Sequence, residues 1–220
     1  MLDTIDIETA AQPKTSIIVL HGLGADGNDF VPFAQEIDLA AVGPVRWVFP
    51  HAPVIPVTIN GGYRMRAWYD VLHSADLRQR QDEAGLRASL KNIEEIIARE
   101  NERGSASSRI VLAGFSQGCA MALLTGLRHK ERLAGIVGMS GYLPLAETTS
   151  AERSESNQLT PIFLAHGTMD PMIPVDAGAM SRDALRALGY DVEWHEYPMP
   201  HSVCMEEVSD LGAWLRKVLA

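Results

Sequence analysis

Cysteine is scarce. The 220 residues hold only Cys119 and Cys204, in no C-x-x-C pair, which excludes a disulfide scaffold. Basic residues are also few: 19 Lys and Arg stand against 28 Asp and Glu, for a net charge of −9. Such a balance argues against a non-specific nucleic-acid binder and against simple electrostatic adhesion to anionic lipid. No uninterrupted apolar run approaches the roughly 20 residues that a membrane helix requires. The opening MLDTIDIETA lacks the positive segment and apolar stretch of a secretory signal. No cluster of His, Cys, Asp or Glu shows metal-ligand spacing. These absences lead to the expectation of a reduced, soluble, cytoplasmic protein without stable membrane insertion.

What remains is ordinary globular composition, 46% hydrophobic and 21% charged. A chain of this length can bury a large core as a single domain spanning residues 1–220. Short apolar runs recur: SIIVL (16–20), RWVFP (46–50), RIVLAG (109–114), GIVGMS (135–140), PIFLAHG (161–167) and DVEWHEY (191–197). Four are apolar on both faces, as strands are when helices cover both sides of a parallel sheet. DVEWHEY alternates, and reads as a strand nearer the sheet edge.

Between the runs lie helical stripes. Leu86, Leu90, Ile93 and Ile97 share one helix face, stopped at Gly104. A second helix follows Ser116. A third, capped by Asp176, carries Met180, Leu185 and Leu188 and ends at Gly189. Val208, Leu211, Leu215 and Val218 mark the last. Strands alternating with helices predict an α/β fold with a mostly parallel central sheet. Two segments, 54–80 and 145–160, fit neither pattern. Asp76, Arg78, Arg80, Asp82 and Glu83 read as a solvated face.

GFSQG (114–118) fits G-x-S-x-G, the nucleophile elbow, and stands where that motif must: after an apolar strand and before a helix. Flanking glycines are needed because the serine sits in a strained turn where side chains would collide. The plainer reading is an ordinary turn with Ser116 as a helix cap. A nucleophilic serine needs a base. His201, in PMPHSV, is best placed, on a loop between the alternating strand and the last helix. His166, at the end of a strand, competes, whereas His195 lies within a strand and His129 on a polar helix end. The orienting acid is Asp170, in HGTMDPMIP directly after a strand, with Asp176 and Asp183 as weaker candidates. The glycine-rich HGLGADGND (21–29) can turn backbone N–H groups toward a shared point, one from Leu23 and a second from Gln117. It matches neither G-x-G-x-x-G nor the P-loop.

Together HGLGADGNDF, PHAPVIPVTINGGYRMRAWYD, GFSQG, HGTMDPMIP and EYPMPHSV, in this order, resemble the bacterial carboxylesterase and acyl-protein thioesterase family of α/β-hydrolases, over nearly the whole chain. The resemblance implies an α/β-hydrolase fold with helices on both faces of the sheet and no large lid domain. It implies a triad of Ser116, Asp170 and His201, oxyanion donors at Leu23 and Gln117, and no cofactor. Two places depart from the family: Cys119 stands where glycine is usual, and Met65-Arg66 replaces Met-Pro. Cys119 is also the alternative nucleophile nearest in sequence.

An acyl substrate needs an apolar trough. Trp68, Leu72 and Met172 are expected to line it, with Leu23, Tyr69, Val71, Ile173 and Met199 as further candidates. The expected activity is hydrolysis of short- to medium-chain acyl esters through a covalent acyl-enzyme. The alternatives are an acyl-protein thioesterase or lysophospholipase, and a non-catalytic binding relative. A homodimer is expected from the resemblance and from Met and aromatic residues in exposed-looking loops.

Overall fold

The computed structural model describes residues 1–74 and 81–220; Asp76, Arg78 and Arg80 of the expected solvated face lie outside them. Seven strands form one sheet: β1 (Thr4–Glu8), β2 (Thr15–Leu20), β3 (Val45–Pro50), β6 (Ile110–Phe115), β7 (Gly135–Met139), β8 (Ile162–Gly167) and β9 (Val192–Tyr197). Their order across the sheet is β1-β3-β2-β6-β7-β8-β9. Only β1 runs antiparallel, against β3; the other neighbours are parallel. The sequence reading missed β1. TIDIE alternates half-buried and exposed residues, the pattern of an edge strand with one face to the core.

Side-chain alternation divides the core between the two faces of the sheet. Ile18, Leu20, Leu112, Ile136 and Leu164 pack with Leu86, Ile93 and Ile97 of α2 (Glu83–Glu102) and with Ala120, Leu123 and Leu127 of α3 (Gln117–Arg128). Ile17, Val19, Val111, Val137 and Phe163 pack with Val208, Leu211, Trp214 and Leu215 of α6 (Met205–Val218). Each such fully buried aliphatic side chain contributes ~1.5–3 kcal/mol relative to exposure, so the two-faced burial explains why these strands are apolar throughout.

The irregular segments carry structure of their own. Residues 54–80 begin with a hairpin, β4 (Val54–Val57) against β5 (Tyr63–Arg66), turned at Gly61 and Gly62, both at positive φ. Within 145–160 lies the short α4 (Ala146–Glu152). Asp82 is no mere solvated charge: its Oδ1 caps α2 by accepting the N–H of Gly85 at 3.0 Å. Asp176 is not the cap of α5 (Val175–Ala187). Pro174 holds that position, fixing the entry angle, and Asp176 falls in the first turn, where a carboxylate complements the helix dipole. Among the described residues no helix is long and apolar enough to cross a membrane.

Candidate active site

The chain leaves β2 toward β3 on one side and β6 toward β7 on the other, so a crevice opens at the carboxyl ends of β2 and β6, the place where such sheets hold their sites. Ser116 lies there, between β6 and α3, with φ 56° and ψ −116°. This is a conformation that costs a non-glycine residue ~1–3 kcal/mol. The flanking glycines make it possible. A Cβ on Gly114 would strike the carbonyl of Gly118, and a Cβ on Gly118 the carbonyl of Leu20. The Ser116 N–H donates to the Met139 carbonyl at 2.9 Å, tying the turn to β7. Ser116 makes no side-chain cap of α3, which removes the plainer reading of the motif.

The loops after β8 and β9 bring their residues to the same place. His201 Nε2 lies 2.9 Å from Ser116 Oγ and His201 Nδ1 lies 2.6 Å from Asp170 Oδ2. The second oxygen of Asp170 accepts the N–H groups of Met172 and Ile173 at 2.8 and 2.9 Å. Burial pushes the Asp170 carboxyl upward, yet the bonds from His201, Ile173 and Met172 outweigh it and hold the group below the usual carboxylate range. An ionised acid of this kind orients the imidazole with its Nδ1–H inward and leaves Nε2 facing the serine.

None of the competing side chains reaches Ser116. His166 is buried, its Nε2–H donating to the Ile173 carbonyl at 2.9 Å, and burial lowers its basicity; it props the Asp170 loop. His195 stacks between Phe163 and Tyr197, and His129 contacts the carboxylate of Glu94 at 2.8 Å. Asp183 pairs with Arg182 at the surface. Cys119 is buried against Gly138 and Gly141, and burial pushes its thiol up to about 12, far from the thiolate a nucleophile requires. Among the described residues no three His, Cys, Asp or Glu side chains gather as metal ligands.

A cleft of about 360 Å³ opens over Ser116 and His201, and Leu23, Gln117, Met172, Ile173, Tyr69 and Val71 line it. Trp68 and Leu72 do not. Trp68 is 1% exposed because its indole N–H needs an acceptor and finds the His21 carbonyl at 2.8 Å, beneath the cleft. Leu72 alternates with Val71, which bridges to Gln81, so Leu72 turns away from the cleft when Val71 lines it. Met199, another candidate, is buried and also absent from the wall. Ile59, Asn60, Asp29 and Tyr142 line the cleft as well, and sequence reading named none of them.

Two supporting residues were equally hidden. His21 is buried, its Nε2 accepting the Ala52 N–H at 3.0 Å and its Nδ1–H donating to the Gly22 carbonyl at 2.7 Å. Burial lowers its pKa, so it stays neutral and fixes the start of the glycine-rich loop. The side chain of Gln117 reaches back to the loop before α2. Its Oε1 accepts the Trp68 N–H at 2.9 Å and its Nε2 donates to the Tyr69 carbonyl at 2.7 Å. Only the strand context of HGLG and the polar residue after Ser116 hinted at either.

The chain matches the family model for phospholipase/carboxylesterase over residues 3–219. It is 40% identical over 217 residues to acyl-protein thioesterase 1 of Yarrowia lipolytica, covering 97% of this chain and 96% of that protein. SOBER1 of Arabidopsis thaliana superposes with a TM-score of 0.88 at 31% identity, over 94% of this chain and 99% of that one. Acyl-protein thioesterase 2 of Zea mays superposes with a TM-score of 0.86 at 27% identity, over the full length of both. These three relatives are eukaryotic, so the likeness is not confined to bacterial members.

Proposed function

The chain belongs to the phospholipase/carboxylesterase family of α/β-hydrolases, whose members act on ester bonds, and from that premise we propose that it hydrolyses acyl thioesters and esters through an acyl-enzyme on Ser116. The hydrogen-bonded series Asp170–His201–Ser116, at 2.6 and 2.9 Å, carries the reading. His201 takes the Ser116 proton as Oγ attacks the acyl carbonyl, then returns it to the departing thiol or alcohol. Water repeats the cycle and frees the acid. Asp170 stays ionised and keeps the imidazole in one tautomer.

The oxyanion would form against the backbone N–H groups of Leu23 and Gln117. Gln117 is the first residue of α3, so its N–H has no intrahelical acceptor, and the positive end of the helix favours a developing negative charge. The loop of Leu23 is braced by the Gly24 N–H, which donates to the Arg66 carbonyl at 2.8 Å.

The names of the relatives favour thioesters of acylated proteins as the substrate class. Hydrolysis of short- to medium-chain carboxylic esters is the second reading, favoured by the size of the cleft. A cleft of about 360 Å³ lies near the lower end of the range for small-molecule sites. The test is a chain-length series of acyl thioesters run beside p-nitrophenyl esters. Each added methylene should raise kcat/KM about fourfold while it remains buried, from ~0.8 kcal/mol, and the rise should end where the cleft does. Thioesters turned over faster than esters of equal length support the first reading, and the reverse supports the second. Neither class hydrolysed, with no fluorophosphonate labelling of Ser116, overturns both.

A further inference from the structure

The cleft wall that carries Leu23 and Ala25 continues into a tight turn, Gly27–Phe30. Asp26 caps this turn, its Oδ1 accepting the Asn28 N–H at 2.8 Å and the Asn28 side-chain amide at 2.9 Å. Asp29 differs. Its backbone N–H closes the turn onto the Asp26 carbonyl at 3.2 Å, but its carboxylate has no hydrogen-bond or ion-pair partner among the described residues. It is exposed and it lines the same cleft as Ser116 and His201. Among the described residues no Lys or Arg lines that cleft.

The packing of the turn and the chemistry of a solvated carboxylate together point to the end of a substrate that Asp29 meets. Its neighbour Phe30 packs 5.8 Å from the ring of Phe115, and Phe115 packs 4.8 Å from the ring of His201. The turn that carries Asp29 thus packs behind the wall of His201, and a solvated carboxylate makes a poor lining for an acyl chain, which leaves the departing group as the part of a substrate it can meet. The imidazole delivers the proton to the departing group, so the departing thiol or alcohol leaves on its side. Val71, Met172 and Ile173 leave an apolar wall for the acyl chain.

We propose that Asp29 sets the leaving-group preference of this enzyme: acyl thioesters whose thiol side is cationic are hydrolysed in preference to those whose thiol side bears phosphates. This rests on the reading of Ser116 as the nucleophile. A protein thiol flanked by Lys or Arg fits the preferred class, and acyl-CoA the disfavoured one. The charge is exposed and screened by salt, so each unit of opposite charge within a Debye length gains about two- to fivefold in kcat/KM.

The experiment measures kcat/KM for butyrylthiocholine, the neutral S-butyryl-N-acetylcysteamine and butyryl-CoA. The proteins are the wild type, Asp29→Asn, Asp29→Lys and Asp191→Asn. Asp191 is an exposed acid just before β9, at the amino end of that strand and so away from the carboxyl ends of the sheet where the site lies, and its variant makes the same change in net charge far from the cleft. In Asp29→Asn the thiocholine-to-neutral ratio should fall about two- to fivefold and the CoA-to-neutral ratio should rise. Asp29→Lys should extend both changes, high salt should shrink them, and Asp191→Asn should leave both ratios alone. Ratios unmoved by Asp29→Asn, or moved equally by Asp191→Asn, overturn the proposal while the hydrolase reading stands. A wild type that leaves the neutral thioester intact overturns that reading and this proposal with it.

Discussion

Gln117 holds Trp68: its side-chain Oε1 accepts the Trp68 N–H at 2.9 Å, while its Nε2 donates to the next carbonyl, that of Tyr69, at 2.7 Å. The residue that follows the nucleophile thus has two separate tasks. Its backbone faces the reaction in the proposed mechanism, and its carboxamide fastens the loop whose Tyr69 and Val71 line the cleft. Ser89 fastens the same stretch from the side of α2, its hydroxyl donating to the Trp68 carbonyl.

Gln117→Ala keeps the backbone N–H and removes the clamp. The Trp68 N–H and Tyr69 carbonyl lose their partners in a buried position, at a cost of ~1–3 kcal/mol for each unsatisfied group. Thermal unfolding should show Tm lowered by several degrees, since ~1 kcal/mol shifts a chain of this size by about 2–4 °C. Activity should fall at least about tenfold, because a misplacement of the order of 1 Å costs up to ~100-fold. An unchanged Tm would mean that the clamp carries no weight.

Ser116→Ala should remove hydrolysis and leave the fold. Among the described residues the Ser116 side chain bonds to His201 alone, so its loss strands no buried backbone group. What survives should be the ~10³–10⁴-fold advantage over water that binding and the oxyanion site supply. A variant that keeps a tenth of the wild-type rate would remove Ser116 from the mechanism; Tm within about 1 °C of wild type checks the fold.

Asp170→Asn offers a carboxamide where His201 needs an acceptor for Nδ1–H. The wrong tautomer then faces Ser116, and kcat should drop about 10⁴-fold with little change in KM. The same position gives a stability signature. The native carboxyl is held below its usual range, so its ionised form stabilises the fold above the unfolded-state pKa of about 4, and this contribution is lost as pH falls through the lower native value. Wild type should therefore lose more stability than Asp170→Asn on acidification through that window, as read by urea unfolding at several acidic pH values.

The parallel sheet was legible because parallel strands covered on both faces must be apolar throughout, as SIIVL and RIVLAG are, whereas the order of its strands was not. The elbow was legible because close approach demands glycine at 114 and 118. β1 was not, since an edge strand needs only one apolar face and TIDIE has no run to notice. The cleft wall was half legible. Met172 follows directly from the loop that carries Asp170, but whether Trp68 or Tyr69 faces the substrate depends on where the indole N–H finds its acceptor. That acceptor, the His21 carbonyl, lies 47 residues away. Asp29 was visible as a residue of a glycine-rich loop, but its lack of a partner is a property of the folded surface alone.

Glu207 supplies the last prediction. It is the third residue of α6, the helix that begins just after the His201 loop, and it is fully buried near Tyr197, Cys119 and Cys204. Neither carboxyl oxygen has a hydrogen-bond partner of good geometry. Burial pushes the group up to about 8, offset only in part by the nearby N–H of Cys204. In the folded chain it therefore holds its proton at neutral pH, whereas in the unfolded chain it ionises near the ordinary value of about 4.3. Its sign is opposite to that of Asp170. The contribution to stability is fully present below the unfolded value and declines as pH rises toward the folded one, by ~1.4 kcal/mol per pH unit. Glu207→Gln cannot ionise and escapes that decline, though its carboxamide adds a pH-independent cost of ~1–3 kcal/mol for unpaired polar groups. The Tm of Glu207→Gln minus that of wild type should therefore climb steadily between about pH 5 and pH 8, whatever its starting value. A difference that stays flat across that range would show that Glu207 is ionised in the fold and that some partner holds its charge.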